Sequence, residues 1–527
     1  MGKQEGGVGN MSEETSEHKH WIVYPIGSKP KWGLAVLLGI QQYLTMFGAT
    51  VLIPFIVGGA MGLPLEQMAL LISTIFFTSG LCTLIQQSPL GNKLPVIQGG
   101  TFSFLGPTFA ILGMVTAEKF SAAGIPLWQV KIQMVSGAIM VASVVEIVLG
   151  YTGIMGHVRK IISPIVIGPT IAMIGLALFN IGAPWMAGNW IISLITLTAL
   201  ILYSQVFSHK SRAFMLFPVL LAIATGWILS LLGTITGLLP AGDAANLSGK
   251  LDLIASASWV SFKPMMPFKW GFPDFGSSVL WAGAFGMLAG YLASMIESIG
   301  DYYACARISE APVPTGKMIS KGLGAEGLGC FIAGILQTCN GTTTYSENIG
   351  SIGLTKVASR RVVRCGAAVM LVIPIIGKFG AVLATLPQPV VGAMFVGLFG
   401  MIASVGLSNL QIVNLNNSRN LFIIGISFFA GLSVPYHFNP MLSANAVPID
   451  WSSSGQIIAV LGNILQAILT TGMAVTAILG IILDNFLPGA TRAERGLEVW
   501  ESEASDEAWE EAEAKWAAME EGEMRPV

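Results

Sequence analysis

Long apolar segments separated by short polar connections recur along the chain from about residue 33 to about residue 485. A stretch of about 20 apolar residues can cross a bilayer as a helix, because lipid forces backbone groups to hydrogen-bond within their own segment. The alternating pattern of a transmembrane barrel is absent. The pattern predicts about 14 membrane helices, at residues 33–56, 66–87, 95–116, 128–150, 161–181, 188–206, 213–233, 278–305, 319–338, 342–356, 362–383, 386–405, 419–435 and 456–484.

The third and tenth of these segments begin with stretches that are poor helix material. Residues 96–107 read VIQGGTFSFLGP, and residues 340–350 read NGTTTYSENIG. Irregular backbone at membrane depth is tolerated only where protein or a water-filled cavity covers it, and paired interruptions indicate a transporter with inverted repeats. The two breaks lie seven segments apart, an odd number. We therefore predict an all-α polytopic membrane protein in which a seven-helix repeat is followed by its inverted copy.

Composition and charge agree with this fold. Of the 527 residues, 53% are hydrophobic and 11% charged, which leaves too few polar side chains to cover a soluble globule. The positive-inside rule predicts that both termini are cytoplasmic. We expect a multi-pass protein of the plasma (cell or inner) membrane. Only six of the 27 Lys and Arg residues then fall outside, namely Lys119, Lys131, Lys250, Lys263, Lys269 and Lys378.

Three regions lie outside the predicted helices. Residues 1–32 form a polar cytoplasmic arm without the apolar stretch of a cleavable signal peptide. Residues 236–277 form an external connection with a glycosylation sequon at Asn246. Residues 486–527 form an acidic cytoplasmic tail that we expect to be solvated and partly helical, with partner binding as the alternative.

Ionisable residues within membrane helices cost free energy to bury, so they are functional candidates by default. Glu297 and Asp301 lie four residues apart in the eighth predicted helix, so their carboxylates share one face about one turn apart. Two neighbouring acids in a low-dielectric site do not both ionise cheaply, so one is expected to be protonated or to share a cation. Neutralisation by Arg307 is the alternative, but its spacing places it well round the helix, and we favour a functional pair.

Glu347 opens the half-helix that follows the break in the tenth segment. A helix N-terminus at the membrane midplane presents unpaired N–H donors, and nearby polar side chains complete a pocket. The break in the third segment presents the N–H groups of Phe102 and Ser103, with the Phe102 ring placed to stack on a flat ligand. Simple helix capping by Glu347 is the alternative, but capping does not require the neighbouring Asn, Ser, Tyr and three Thr.

Other polar positions lie inside predicted helices. Glu146 is late in the fourth helix, where snorkelling or pairing with Arg159 or Lys160 is expected. Gln41 and Gln42 lie mid-membrane in the first helix, where they either orient the acids or join helices, and the sequence leaves both roles open.

Four motifs occur in order at the expected helices and together resemble the nucleobase–ascorbate transporter family. ENIGSIGLTK fits the family signature, in which an acidic residue, Gln or Pro precedes Asn-x-Gly-x4-Thr and then Arg, Lys or Gly. The other three motifs are similar to the family's eighth, first and third spans. The motifs lie at residues 347–356, 297–309 (ESIGDYYACARIS), 41–54 (QQYLTMFGATVLIP) and 98–107 (QGGTFSFLGP), and the resemblance covers residues 33 to 485.

The resemblance implies a fold of 14 helices in two inverted repeats, divided into a core domain and a gate domain. The core would hold the substrate between broken spans 3 and 10 and would move against the gate in an elevator-like way. Residues 33–150 and 278–383 would form the core, and residues 151–235 and 384–485 the gate. Family members are often homodimers through the gate domain.

The resemblance also implies the substrate contacts. Glu297 and Glu347 would hydrogen-bond the ring N–H groups of the substrate, and Phe102 would supply backbone and ring contacts. The predicted substrate-binding residues are Glu297, Glu347, Phe102, Ser103, Gln42 and Ser346.

Further roles follow from the same motifs. Asp301, together with Glu297, would couple the cation, which is either H⁺ or a Na⁺ bound near Asp301. Asn348, Gly350 and Thr355 would keep the geometry of the tenth span. No cofactor is expected.

Two positions depart from the usual family pattern or distinguish its branches. Gln42, which cannot titrate, replaces the His that the family usually has in its first span. Ascorbate carriers typically have Pro at the position of Glu347, whereas uracil and purine carriers have Glu or Gln. A carboxylate there would make charge-assisted hydrogen bonds to ring N–H groups and would repel the ascorbate anion. We therefore predict a symporter for a nucleobase such as uracil, xanthine or another purine.

A sodium-coupled ascorbate transporter of the same family is the alternative. Much of the sequence between spans 8 and 13, including SIGDYYACARIS and GLFGMIASVGLSNLQ, is similar to the animal branch that contains the sodium–ascorbate carriers. That similarity leans towards Na⁺, whereas prokaryotic carriers lean towards H⁺, and the sequence leaves the ion open.

Other classes of protein fit less well. An enzyme would need a nucleophile–base pair or a metal cluster, but none of the five His residues lies within a predicted span, so we predict no enzymatic activity. An anion exchanger would be expected to place basic or neutral groups at the midplane, which here is acidic.

The five Cys lack metal-type or redox-type spacing and are expected to be small core residues. No nucleic-acid partner is expected.

Overall fold

The computed structural model describes residues 22–116, 124–154, 161–177, 179–439, 456–498 and 505–523. Its first half contains α1 (Trp32–Met61), α2 (Leu65–Gln86), β1 (Gln98–Gly100), α3 (Leu105–Met114), α4 (Leu127–Tyr151), α5 (Pro164–Leu176), α6 (Phe179–Met186), α7 (Trp190–Ile201), α8 (Arg212–Leu216), α9 (Pro218–Ile235) and α10 (Leu251–Ser256). Its second half contains α11 (Ser278–Ile308), α12 (Gly316–Ile335), β2 (Thr342–Thr344), α13 (Ser346–Thr355), α14 (Arg360–Val372), α15 (Gly377–Ala384), α16 (Gln388–Ser408), α17 (Ser418–Phe438), α18 (Gln456–Leu469), α19 (Gly472–Phe486) and α20 (Asp506–Ala517).

Within the described residues, ten helices are long and apolar enough to cross a membrane, and two shorter apolar helices lie at Phe102–Met114 and Gly472–Phe486. The predicted polytopic helical fold is therefore confirmed, whereas several predicted spans are not single helices. The fourteenth segment is divided between α18 and α19, and the eleventh between α14 and α15, with a 3₁₀ turn at Ile373–Ile375. Proline 374 lies in that turn, where its missing N–H interrupts the helical ladder.

The broken starts of the third and tenth segments pair with each other. β1 and β2 run antiparallel in the register Gln98↔Thr344, Gly99↔Thr343 and Gly100↔Thr342. Backbone groups that leave the helical ladder inside a membrane protein need partners, and each strand supplies them to the other. A Cβ at Gly99 would lie 2.6 Å from the ring of Tyr345, so glycine permits this close approach. Each strand leads into a half-helix, namely the 3₁₀ turn Phe102–Phe104 with α3, and α13.

Small residues allow the long helices around these strands to pack closely. α4 lies against α12, where a Cβ at Gly150 would lie 2.2 Å from the backbone nitrogen of Gly324. A Cβ at Gly406 of α16 would lie 2.2 Å from the backbone nitrogen of Ala172 in α5. Without a hydrophobic drive between helices in lipid, such backbone contacts provide much of the association.

One buried carboxylate joins α5, α17 and α19. Asp484 accepts hydrogen bonds from Ser163 Oγ (2.6 Å), Arg419 Nη1 (3.0 Å) and Arg495 Nη2 (2.7 Å). Two guanidinium groups neutralise this acid, which makes its burial tolerable. The sequence analysis did not single out Asp484, because it lies at the end of the last predicted helix, where an acid is unremarkable.

The described part of the acidic tail is helical and mostly exposed, as expected, but two of its residues are not solvated. α20 packs on the protein surface, with Trp509 and Trp516 buried. The sequon residue Asn246 is also 8% exposed, and its amide donates to the Leu239 carbonyl (2.7 Å). All five Cys are buried with free thiols, in agreement with their predicted place in the core.

Candidate functional site

A cavity of about 410 Å³ lies beside the paired strands. α1, the start of α9, α11, α13 and α16 form its walls together with β1 and β2. Its volume is in the range of small-molecule sites, which are mostly apolar with a few convergent polar groups. Its polar lining consists of Gln41, Thr45, Thr101, Glu297, Thr343, Tyr345, Ser346, Glu347 and Ser351.

The structure brings Glu297 and Glu347 to this one cavity from α11 and α13. Both side chains are half-buried. Glu297 Oε2 accepts a hydrogen bond from Ser103 Oγ at 3.3 Å. Glu347 lies in the first turn of α13, close to its own backbone N–H, so it interacts with its helix terminus and also lines the cavity. The cavity therefore presents two carboxyl groups with free acceptor capacity.

Asp301 lies one turn along α11, behind the cavity lining. Its Oδ1 accepts a hydrogen bond from Ser346 Oγ at 2.7 Å. Its Oδ2 is buried and, within the described part of the chain, has no hydrogen-bond partner. Among the same residues no ion pair joins Arg307 to Glu297 or Asp301, so the alternative of neutralisation by Arg307 is wrong. Asp301 therefore keeps one oxygen for a proton or a cation.

Phe102 lies on the opposite break and lines the cavity. Its ring meets Phe399 edge to face, with 5.0 Å between centroids. Ser103 is buried and does not line the cavity. Its Oγ bonds Glu297, and its N–H donates to Thr101 Oγ1 at 3.1 Å. Phe102 is therefore part of the cavity lining, whereas Ser103 contacts the cavity only through its hydrogen bond to Glu297.

Two residues that the sequence analysis missed hold the breaks together. Asn340 Oδ1 accepts from the Thr101 N–H (2.7 Å), and its Nδ2 donates to the Thr101 carbonyl (2.9 Å). Tyr345 Oη donates to the Gly100 carbonyl (2.7 Å) and accepts from Thr50 Oγ1 (3.0 Å). The quoted motif NGTTTYSENIG contains both residues, but their partners more than 200 positions away could not be identified from spacing.

The structure does not place Gln42 in the cavity lining. Its Oε1 accepts from Asn348 Nδ2 (2.7 Å) and Ser351 Oγ (3.2 Å), and the same amide of Asn348 donates to the Gln42 carbonyl (2.8 Å). Gln41 lines the cavity instead, with Nε2 donating to Thr45 Oγ1 at 3.1 Å. Of the two roles left open for this pair, joining helices fits the position of Gln42.

The remaining residues of the tenth-span motif lie along α13. Gly350 is exposed to the cavity, with no heavy atom within 4 Å of the place a Cβ would occupy. Thr355 Oγ1 donates to the Ser351 carbonyl within the same helix at 2.8 Å. α13 then ends at Thr355, and the next residue, Lys356, has a left-handed φ of 59°.

Glu326 of α12 is a buried acid that the sequence analysis overlooked. It accepts from Ser298 Oγ (2.6 Å), Tyr302 Oη (2.7 Å), Thr344 Oγ1 (2.6 Å) and Gln98 Nε2 (3.1 Å). These donors come from α11, β1 and β2, so one carboxylate connects both breaks to the long helix that carries Glu297. The sequence feature that could have identified Glu326 is its position as an acid in the middle of the ninth predicted span.

Glu146 is not at the surface, so the snorkelling interpretation is wrong. It is 1% exposed, and neither carboxyl oxygen has a hydrogen-bond partner among the described residues. Its proposed partners Arg159 and Lys160 lie outside the described residues. Within the described chain, no group of three or more His, Cys, Asp or Glu side chains could hold a metal ion.

Comparison with known proteins identifies the family of the chain. The permease family model Xan_ur_permease matches residues 33–439. The chain belongs to the nucleobase–ascorbate transporter family. Human solute carrier family 23 member 2 is 40% identical, over 94% of this chain and 78% of that protein. Nucleobase-ascorbate transporter 1 of Arabidopsis thaliana is 32% identical, over 94% of both chains.

Solved structures share the fold of this family member at low identity. The transmembrane domain of the cyanobacterial bicarbonate transporter BicA is 14% identical, with a TM-score of 0.50, over 85% of this chain and 99% of that one. SLC26A9 is 12% identical, with a TM-score of 0.53, over 86% of this chain and 65% of that one. Murine Slc26a9 in the inward-facing state is 13% identical, with a TM-score of 0.54, over 77% and 66%. These likenesses concern the fold alone.

Proposed function

We propose that this transporter is a symporter for a nucleobase such as uracil, xanthine or another purine. The observation that carries the proposal is the shared cavity position of Glu297 and Glu347. Ring N–H groups are donors, and carboxylates are strong acceptors for charge-assisted hydrogen bonds. An ascorbate anion would bring a negative charge towards two acids, which is unfavourable in a partly dehydrated cavity.

In the proposed site, Glu297 and Glu347 accept from two edges of the ring. The Phe102 ring and the adjoining backbone contact the flat face of the base. Ser346 contributes a hydroxyl to the cavity, whereas Ser103 orients Glu297 from behind. Gln42 acts indirectly, because it holds Asn348 and with it the start of α13. Asn348, Gly350 and Thr355 then keep the half-helix in the shape that presents Glu347.

The coupling cation is proposed to act at Asp301 and Glu297. The partnerless Oδ2 of Asp301 would take up H⁺ directly or would ligate a Na⁺. Ser346 connects this place to the cavity, because its hydroxyl donates to Asp301 while its side chain is part of the lining. A cation there would lower the charge cost of the occupied site, so cation and substrate would strengthen each other's binding by the same factor.

The proposed movement is elevator-like, between a core (33–150 and 278–383) and a gate (151–235 and 384–485). The antiparallel β1–β2 pair fits two inverted seven-helix repeats, because it joins the broken third and tenth spans in opposite directions. Packing of α4 on α12 and of α5 on α16 is in keeping with these two groups. We also propose a homodimer through the gate, in the plasma membrane, with both termini cytoplasmic.

Sodium-coupled ascorbate transport is the second candidate. The observation that favours it is the 40% identity to the human and rat solute carrier family 23 proteins, against 32% to 37% for the Arabidopsis nucleobase-ascorbate transporters. Overall identity reflects descent, whereas substrate choice depends on the few side chains in the cavity. We therefore give more weight to Glu347.

Uptake into proteoliposomes tests the proposal. Initial uptake of radiolabelled uracil, xanthine and ascorbate would be measured under an inward H⁺ gradient and separately under an inward Na⁺ gradient. We expect accumulation of a nucleobase under one of the two gradients, which also identifies the ion. Accumulation of ascorbate alone would overturn the nucleobase assignment, and no accumulation of any of the three would leave symport without support.

A further inference from the structure

Glu146 of α4 is a buried acid that takes no part in the site described above. It is 1% exposed, and within the part of the chain that the structure describes both of its carboxyl oxygens lack a hydrogen-bond partner. α12 covers α4 closely at this level, since a Cβ at Gly327 would lie 2.7 Å from the Ile147 nitrogen. The carboxyl group is therefore enclosed by protein.

The hydroxyl and thiol groups around Glu146 donate their hydrogens to other acceptors. Three side chains near it, on α4, α11 and α12, carry an O–H or S–H group, and each donates to a backbone carbonyl. The three bonds run from Ser143 Oγ to Met140 (2.8 Å), from Tyr291 Oη to Ile139 (3.0 Å) and from Cys330 Sγ to Thr342 (3.4 Å). A carboxylate at Glu146 would thus have no hydrogen bond among the described residues to replace its hydration.

The ionisable groups of α12 and α11 that face Glu146 include no cation. They are Glu326 and Cys330 of α12 and Tyr291 of α11. Glu326 accepts four hydrogen bonds, so it is the better stabilised carboxylate of the two acids. A second negative charge near Glu326 is unfavourable in a low-dielectric interior.

The other helices around α4 supply no cation either. α3 has no ionisable side chain, and Tyr43 of α1 packs against Phe76 with 5.5 Å between ring centroids. Within α4, Lys131 lies about 22 Å along the helix axis from Glu146, and its Nζ donates to the Ala60 carbonyl. Among the residues that the structure describes, no ion pair involves Glu146.

We propose that Glu146 is a proton-binding site outside the cavity, and that the folded protein keeps its carboxyl group protonated at neutral pH. An enclosed carboxylate without donors or a cation is costly, whereas the neutral acid carries no net charge into the same surroundings. This proton is separate from the coupling cation proposed at Asp301 and Glu297. The proposal does not depend on which substrate the protein transports.

The proton has a structural role, because Glu146 faces two side chains that hold β2. Cys330 bonds Thr342 and Glu326 bonds Thr344, at the two ends of that strand. Loss of the proton would place a negative charge close to both side chains and would favour separation of α4 from α12. Proton binding at Glu146 therefore stabilises the packing of α4 on α12 behind the paired strands.

Unfolding at several pH values tests the proposal, because a retained proton links stability to pH. In the unfolded chain Glu146 meets water and is ionised above about pH 5. The folded chain keeps the proton, so the stability of the wild type falls as the pH rises. The corresponding change in the unfolding equilibrium constant approaches about tenfold per pH unit. Glu146→Gln is neutral in both states and lacks this dependence.

Reversible unfolding of the full-length protein by dodecyl sulfate in mixed micelles measures the effect. The matched control is Glu66→Gln, which removes an exposed acid from the first turn of α2. We expect the ratio of the unfolding constants of wild type and Glu146→Gln to rise by about a hundredfold between about pH 6 and pH 8. The ratio of wild type to Glu66→Gln should stay constant within about twofold, since other ionisable groups cancel in both ratios.

Infrared spectroscopy detects the proton directly, because protonated carboxyl groups and carboxylates have separate stretching bands. The spectrum of wild type minus Glu146→Gln at neutral pH should contain the C=O band of a protonated carboxyl group. The spectrum of wild type minus Glu66→Gln should contain carboxylate bands instead.

Three results would overturn the proposal. A wild-type to Glu146→Gln ratio that does not change with pH would show that folding leaves the protonation of Glu146 unchanged. Carboxylate bands in the difference spectrum of Glu146→Gln would show that Glu146 is ionised in the folded protein. Failure of both Glu146→Gln and Glu146→Met to fold would show that a neutral side chain of similar size does not suit this position.

Discussion

Two glutamates near the paired strands lie in opposite settings. Glu326 accepts four hydrogen bonds from side chains of α11, β1 and β2, and it is not among the residues that line the 410 Å³ cavity. Glu297 accepts one longer bond from Ser103 and faces the cavity, where Glu347 lies with it. A buried carboxylate is tolerable when its lone pairs are used. The difference indicates that Glu326 builds the site, whereas the cavity acids have acceptors left for a ligand.

The largest effect is expected when Glu326, the fully hydrogen-bonded acid of this pair, is replaced. Glu326→Ala leaves the hydroxyls of Ser298, Tyr302 and Thr344 buried without their acceptor, so we expect a loss of about 3–5 kcal/mol in the free energy of unfolding, with loss of transport. Thermal unfolding of the purified protein measures this, with Glu326→Gln as the milder control. An unchanged melting temperature for Glu326→Ala would contradict the structural role.

Glu297→Gln tests the role of the acid that faces the cavity. Here we expect a large loss of transport with little loss of stability. Transport should fall by about a hundredfold or more, equivalent to roughly 2.7 kcal/mol of lost interaction. The melting temperature should change little, since Glu297 has one weak protein partner. Concentrative uptake and thermal unfolding are measured on the same preparation. Accumulation at wild-type levels would remove Glu297 from the proposed site.

A smaller effect is expected for Glu347→Gln, since Gln keeps an acceptor oxygen at the same place. Some purine binding should remain, but the ratio of affinities between uracil and xanthine should shift by about tenfold. Competition between the two labelled bases measures that ratio. A substrate profile identical to wild type would mean that Glu347 does not touch the ligand.

The smallest effects are expected at the neighbouring residues Gln41 and Gln42, which we predict to have different roles. Gln42→Ala should destabilise the protein by about 1 kcal/mol, because it removes hydrogen bonds to Asn348 and Ser351. Gln41→Ala should leave unfolding unchanged and alter substrate affinity, since Gln41 lines the cavity. Unfolding curves and uptake KM values for both variants decide the assignment. The reverse pattern would place Gln42 at the ligand.

Much of the arrangement could be predicted from local pattern. Breaks at membrane depth identified the third and tenth spans, and acids inside apolar segments identified Glu297, Asp301 and Glu347. Partners distant in sequence could not be predicted. Glu326 is satisfied by four donors from three elements, and Asn340 bonds Thr101 across the strand pair. Such contacts exist only once the helices are packed.

The same reason accounts for the two clearest errors. Glu146 was assigned to the membrane surface from its place in the helix, but α12 covers that face of α4. The charge of the tail predicts a solvated segment, whereas Trp509 bonds the Val313 carbonyl and Trp516 lies on Gly27 and beside Arg360. The composition of a segment therefore does not predict its burial, which depends on residues elsewhere in the chain that pack against it.

Equilibrium binding tests the central claim most directly. Labelled uracil and xanthine would be bound to the purified wild-type protein and to Glu297→Gln, with excess unlabelled nucleobase or ascorbate as competitor. The account predicts saturable binding of a nucleobase by wild type, displacement by nucleobase and not by ascorbate, and loss of binding in a stably folded Glu297→Gln protein. Equal displacement by ascorbate, or undiminished binding by Glu297→Gln, would contradict it.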